Sequence, residues 1–158
     1  MSSSAVSSRV ERIGLFFRLL ILDSTVARQA AVDASAVFLE RWRHLDGDSV
    51  EIETLEQMDE DLVSISRDQL LLARRKIPSG STFQIDWSGL KGSESLDPRT
   101  WARFVSEASD EEALSLVWSQ VLKISDAAIA KSLACSTGTV LFRVGKAVKH
   151  LGLLERPL

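Results

Sequence analysis

The residues best suited to chemistry lie near the C-terminal end of the chain: Thr137, Thr139, Arg143, Lys146 and Lys149. Hydroxyls and cations at this spacing suit the phosphates of a nucleic-acid backbone, and an arginine can also reach a base edge with two parallel donors. From Ala127 to Leu154 there are lysines and arginines but no acid, so this end is locally basic although the whole protein carries a net charge of −3. The DNA-binding candidates are therefore Thr137, Thr139, Phe142, Arg143, Lys146 and Lys149, with Arg143 as the base reader. Phe142 fits in two ways. It can touch a thymine methyl, or it can join Leu141 in an apolar contact with a protein.

Two helices joined by a tight turn must hold these side chains. Within Ser125 to Leu151 the spacing predicts a first helix with Ile129, Ala130 and Leu133 on its apolar face, then a turn at Cys135-Ser136. Ser125 and Thr137 stand where helix N-caps belong. In the second helix Val140, Val144, Ala147 and Leu151 fall on one stripe of a 3.6-residue repeat. With that stripe inward, Phe142, Lys146 and Lys149 point nearly opposite, and Thr139 and Arg143 lie on the flanks. This is the helix-turn-helix pattern, whose second helix enters a major groove. Two further helices are predicted before it. Asp97-Pro98 opens one with Trp101, Phe104, Val105 and Ala108 on a face. The capping box Ser109 to Glu112 opens another with Leu114, Val117, Val121 and Leu122 inward. They supply apolar surface that a bare two-helix motif lacks.

The run AAIAKSLACSTGTVLFRVGKAVKHL resembles the last, helix-turn-helix domain of bacterial RNA polymerase sigma factors of the extracytoplasmic-function type. The matching residues are Ile129-Ala130, Leu133-Ala134, Gly138-Thr139-Val140 and Arg143-Val144. The chain departs at Ala134, where the family has glycine, and at Leu141-Phe142, where it has Lys-Ser. More faintly, Val37 to Arg43 (VFLERWR) resembles the end of the domain-two helix that docks on the polymerase clamp, which makes Phe38 and Trp42 candidate protein contacts. Ala34-Ser35-Ala36 replaces the polar residues that precede this pattern in the family. The resemblance implies an all-α fold of two small helical domains and, as partners, double-stranded DNA and RNA polymerase or another regulatory protein.

The rest of the chain fits two helical halves. Helices are expected over Val6 to Leu22, with Val6, Val10, Ile13, Phe17, Leu20 and Ile21 inward, and from Val26 to about Leu45, with Ala30, Ala34, Val37, Phe38, Trp42 and Leu45 inward. Between them Asp23-Ser24-Thr25 is a polar break with capping residues, so they form a hairpin. Asp46 to Asp61 is acidic throughout, with part of it an acid-faced helix; such a run is a solvated face, a dock for a basic partner, or a dock for the chain's own basic helix. Ser66 to Gln69 reads as a capping box that starts another helix. The Ser- and Gly-rich stretch Pro78 to Leu96 reads as a linker, with Phe83, Ile85 and Trp87 alternating in an extended piece. The expected division is 1–77, a linker at 78–96, and 97–154.

Several functions find no residues here. His44 and His150 lie in different halves with no second donor at metal spacing, and there is no glycine-rich phosphate loop or calcium loop. No catalytic residue, metal ligand or cofactor is expected, and the sigma resemblance, which has a buried apolar residue at this turn position, implies that Cys135 is core rather than nucleophile. Gly14 and Gly145 read as points of close helix packing. The longest apolar run, Ile13 to Leu22, is too short to span a membrane, and a single cysteine suits a reducing, cytoplasmic setting. No Phe, Trp or Tyr lies between Arg43 and Thr82, so bases unstacked from a promoter would find no flat side chain to receive them. The favoured expectation is a sigma-like regulator that binds DNA or polymerase without melting promoters. The alternative is a sigma-like fold turned to protein interaction, either standing alone or as the N-terminal part of a longer protein.

Overall fold

The computed structural model describes residues 4–45, 50–77 and 97–155. The fold is all-α: α1 (Ala5–Leu20), α2 (Ser24–Trp42), α3 (Ile52–Arg74), α4 (Pro98–Glu107), α5 (Asp110–Leu116), α6 (Asp126–Leu133) and α7 (Thr137–Glu155). Among the described residues there is no strand. Most of these helices start where a short polar side chain takes up an orphan backbone N–H. Ser4 accepts from Ser7, Asp23 from Thr25 and Val26, Asp97 from Arg99, Ser109 from Glu112 and Ser125 from Ala128. For α7 the cap is Ser136 rather than the expected Thr137: its Oγ accepts the N–H of Thr139 at 3.1 Å.

The helices of both halves share one core. Trp118 is its centre, 1% exposed, stacked on Phe16 of α1 with centroids 5.9 Å apart and planes 10° off parallel. Its indole Nε1–H donates to Ser66 Oγ of α3 at 3.1 Å, and that hydroxyl donates in turn to Val63 O at 3.1 Å. Trp101 of α4 donates to Leu19 O at 2.8 Å, satisfying a carbonyl that the end of α1 leaves free. Ser132 Oγ of α6 donates to Glu60 O of α3 at 3.1 Å. The stretch expected to be a linker lies outside the described residues, and so does the extended piece around Phe83, Ile85 and Trp87.

Several expectations change. Ser66 starts no helix; α3 runs unbroken through it, because its hydroxyl bonds back to Val63 and across to Trp118 instead of capping. Val121 is exposed rather than inward. After α5 the backbone widens into a π-helical turn, Val117–Val121, and the extra residue per turn rotates Val121 out of the core face. Gly14 and Gly145 mark no close approach, since a Cβ on either would meet nothing within 4 Å. The acids of α3 are tied to its neighbours rather than merely solvated: Asp59 to Arg9, Asp61 to Arg41 and Trp42, Glu60 to Lys131.

The turn between α6 and α7 holds a specific strain. Ala134 sits at φ 54°, ψ 43°, the left-handed region where a Cβ is unfavourable and glycine is not. Its position closes α6, with the N–H of Cys135 reaching back to Ala130 O at 3.0 Å. Ala134→Gly is expected to raise stability by about 1 kcal/mol, since relief of the Cβ clash outweighs the added freedom of the unfolded chain. Chemical denaturation of the two forms under one condition checks this.

Candidate functional site

The inward stripe of α7 is as expected: Val140, Val144 and Ala147 are buried, and Leu151 packs partly against the core. From α6, Ile129 and Ala130 meet it buried and Leu133 half-buried. Cys135 lies half-buried against the same core.

The polar residues proposed for DNA divide into three groups. Thr139 is spent on the cap, its hydroxyl 2.9 Å from Ser136 Oγ. Arg143 and Lys146 turn toward the chain's own acids: Arg143 lies 3.9 Å from Glu111 and Lys146 lies 3.4 Å from Glu112. One turn further, His150 sits 3.5 Å from both Glu107 and Glu112, with its ring edge on Phe104. Only Thr137 and Lys149 remain exposed without a bonded partner among the described residues. Arg143, Lys146 and His150 thus face a row of carboxylates on α4 and α5, of which Glu112 is buried. Each such pair is worth only about 0–1 kcal/mol when solvated. The sign of the neighbouring charge matters more, because a phosphate approaching Arg143 or Lys146 meets acids on the same flank. Glu107 itself is held below the usual carboxylate range, first by the hydrogen bond from Arg103 and then by Arg103's charge and by His150. Its contribution is therefore complete at neutral pH and is lost as pH falls through that depressed value.

The outer face is apolar instead. Phe142 is 70% exposed and Leu141 58%, and Val148 and Leu153 are exposed further along. Leu141, Gly145, Val148 and Gly152 follow one another at +4, +7 and +11, beside the stripe formed by Phe142, Lys149 and Leu153. Gly145 and Gly152 have open space where a Cβ would be, which leaves the helix surface shallow between the larger side chains. Full burial of Leu141 and Phe142 against a partner is worth roughly 1.5–3 kcal/mol each.

The two candidates from the first half lie on the inward side of α2, as the helical spacing predicts, which leaves little of them for a partner. Phe38 is fully buried and serves the core, so it offers no surface to a partner. Trp42 is half-buried, donates to Asp61 Oδ2 at 2.9 Å and stacks on His44, which makes it part of the α2–α3 contact. The sequence reading missed Glu107, Glu111, Glu112 and His150 as a group. Their only signal was a capping box at Ser109 to Glu112, and the pairing to α7 is non-local. Among the described residues no three His, Cys, Asp or Glu are grouped to hold a metal ion, and no helix is long and apolar enough to cross a membrane. No protein-family model, no curated protein and no solved structure matches the chain.

Proposed function

We propose that this chain is a sigma-like helix-turn-helix protein of transcription control that works through protein contact at the outer face of α7. The observation that carries this reading is the exposed pair Leu141 and Phe142, standing where polar readers are expected. Arg143 and Lys146, which could otherwise read DNA, are paired to Glu111 and Glu112. Lys149 flanks the apolar strip, so the partner it fits has an apolar surface with an acid at its rim. RNA polymerase, toward which the sigma resemblance points, or a regulator bound to it, is the candidate.

A second reading, direct DNA binding, is favoured by one observation: Thr137 is exposed at the start of α7, whose first turn carries no acid, and Lys149 is exposed further along the same helix. Fluorescence anisotropy of labelled duplexes over a range of salt separates the two. The protein-contact reading expects weak, sequence-independent binding that vanishes with salt, because few phosphates can be neutralised. Tight, sequence-dependent binding that is lost on Arg143→Ala would favour DNA instead.

A further inference from the structure

The outer flank of α7 carries Gly145 and Gly152, and the chain's own fold requires neither. Both are exposed inside the helix, neither has a positive φ, and a Cβ on either would meet nothing within 4 Å. Glycine is a poor helix former, and alanine at either place would strengthen α7. What glycine offers here is close approach by a backbone from outside the chain.

The large side chains beside these glycines are placed to match them. Leu141, Gly145, Val148 and Gly152 are spaced 4, 3 and 4 residues apart, the d-a-d-a spacing of a coiled-coil seam. Large and absent side chains alternate along it, with Leu141 58% and Val148 51% exposed. An antiparallel helix of the same sequence reads the seam in reverse. Leu141 then falls opposite Gly152 and Gly145 opposite Val148, and both pairings recur across the two-fold axis. Each side chain fills the space that the facing glycine leaves. A parallel pair would set leucine on leucine and glycine on glycine, with alternating bulges and voids. Charge agrees with the antiparallel choice. Lys149, the charged residue beside the seam, lies against the Phe142 ring of the second copy and not against its own counterpart. Arg143 and Lys146 point to the other flank, toward Glu111 and Glu112.

We propose that a second copy of this chain covers the face, the two α7 helices packing antiparallel about a two-fold axis between Lys146 and Ala147. This pairing rests on the reading of the face as a protein contact and gives it an occupant in the free protein, so polymerase and the second copy exclude one another there. Two such faces, with the glycine backbone and the Lys149 stems, bury on the order of 1,000 Å² in total, near the lower limit of a specific interface, so the pair is weak and reversible.

Analytical ultracentrifugation of the full chain over a range of concentration tests this, and a monomer–dimer equilibrium with a Kd on the order of 100 μM is expected. Gly145→Val sets valine against valine and Val148→Gly sets glycine against glycine, and each should weaken the pair by about tenfold or more. Gly145→Val combined with Val148→Gly exchanges the two roles within one layer and should return the Kd to within about threefold of the wild-type value. The melting temperature of dilute Gly145→Val should not fall, because the monomer has room for the side chain. Three results overturn the proposal: a wild-type chain monomeric up to about 1 mM, a Gly145→Val protein that pairs as tightly as wild-type, or a double exchange that stays monomeric. Titration with bacterial RNA polymerase core enzyme separates this from the docking reading, since Gly145→Val keeps Leu141 and Phe142 in place. A wild-type chain that stays monomeric but binds the enzyme removes the self-pairing alone. One that pairs but binds no enzyme upholds the self-pairing and removes polymerase as the partner.

Discussion

Trp118→Ala is expected to cost about 3–5 kcal/mol, the range for deleting a large buried aromatic. The indole fills the space between α1 and α3, stacks on Phe16 and gives its N–H to Ser66. Its removal leaves a cavity lined from both halves and a Ser66 hydroxyl with one partner fewer. A total stability near 5–15 kcal/mol makes such a loss a large share of the whole. Because the core is continuous from α1 to α7, the loss should be felt by the entire protein. Urea unfolding followed by circular dichroism should show one transition at a lower midpoint, not the early loss of one half alone. Trp118→Phe keeps the stacking and forfeits the hydrogen bond, so it should cost much less, about 1–2 kcal/mol.

Asp59→Ala is the second large effect. Arg9 is buried beneath α3, donating through Nε to Asp59 at 2.9 Å and through its terminal nitrogens to Ala5 O and Leu55 O. Removing Asp59 leaves the guanidinium buried without its counter-ion, which costs about 3–5 kcal/mol in comparable pairs. Arg12 makes the site harsher. Burial lowers its pKa and Arg9's charge lowers it further, while Asp59 acts in the opposite direction. With the carboxylate gone, two neighbouring cations face each other. The double change Arg9→Met with Asp59→Leu should recover most of the stability, because an apolar pair of similar volume replaces both ions. The solvated pair Arg103 to Glu107 is the control, and Arg103→Ala should shift stability by less than about 1 kcal/mol. Thermal melts of the three variants beside the wild-type protein test the series.

How far the sequence revealed this structure depends on the range of each interaction. Caps and stripes are local, and Asp23, Asp97, Ser109 and Ser125 were legible because each acts within three residues of itself. The inward stripe Val140, Val144, Ala147 and Leu151 was legible for the same reason. Ser66 misled because its type and neighbours suited a cap, while the partner that decided its role is Trp118, distant in sequence. Val121 misled because the π-helical turn breaks the 3.6-residue period on which the reading rested. Phe38 looked like a partner contact through a resemblance, and the helix buries it. At the candidate site, the apolar character of Leu141 and Phe142 was visible in the sequence, but the pairing of Arg143, Lys146 and His150 with Glu107, Glu111 and Glu112 was not. That pairing joins elements whose packing no local pattern encodes.

The central claim is that Leu141 and Phe142 form a protein-docking face. It is tested most directly by titrating the fluorescently labelled chain with bacterial RNA polymerase core enzyme and following anisotropy. The wild-type protein should bind saturably, and Phe142→Asp should weaken binding by about tenfold or more, since a charge replaces an apolar contact of roughly 1.5–3 kcal/mol. The melting temperature should not fall, because Phe142 supports nothing in the fold. Equal affinity of the wild-type and Phe142→Asp proteins, or no binding by either, would contradict the account.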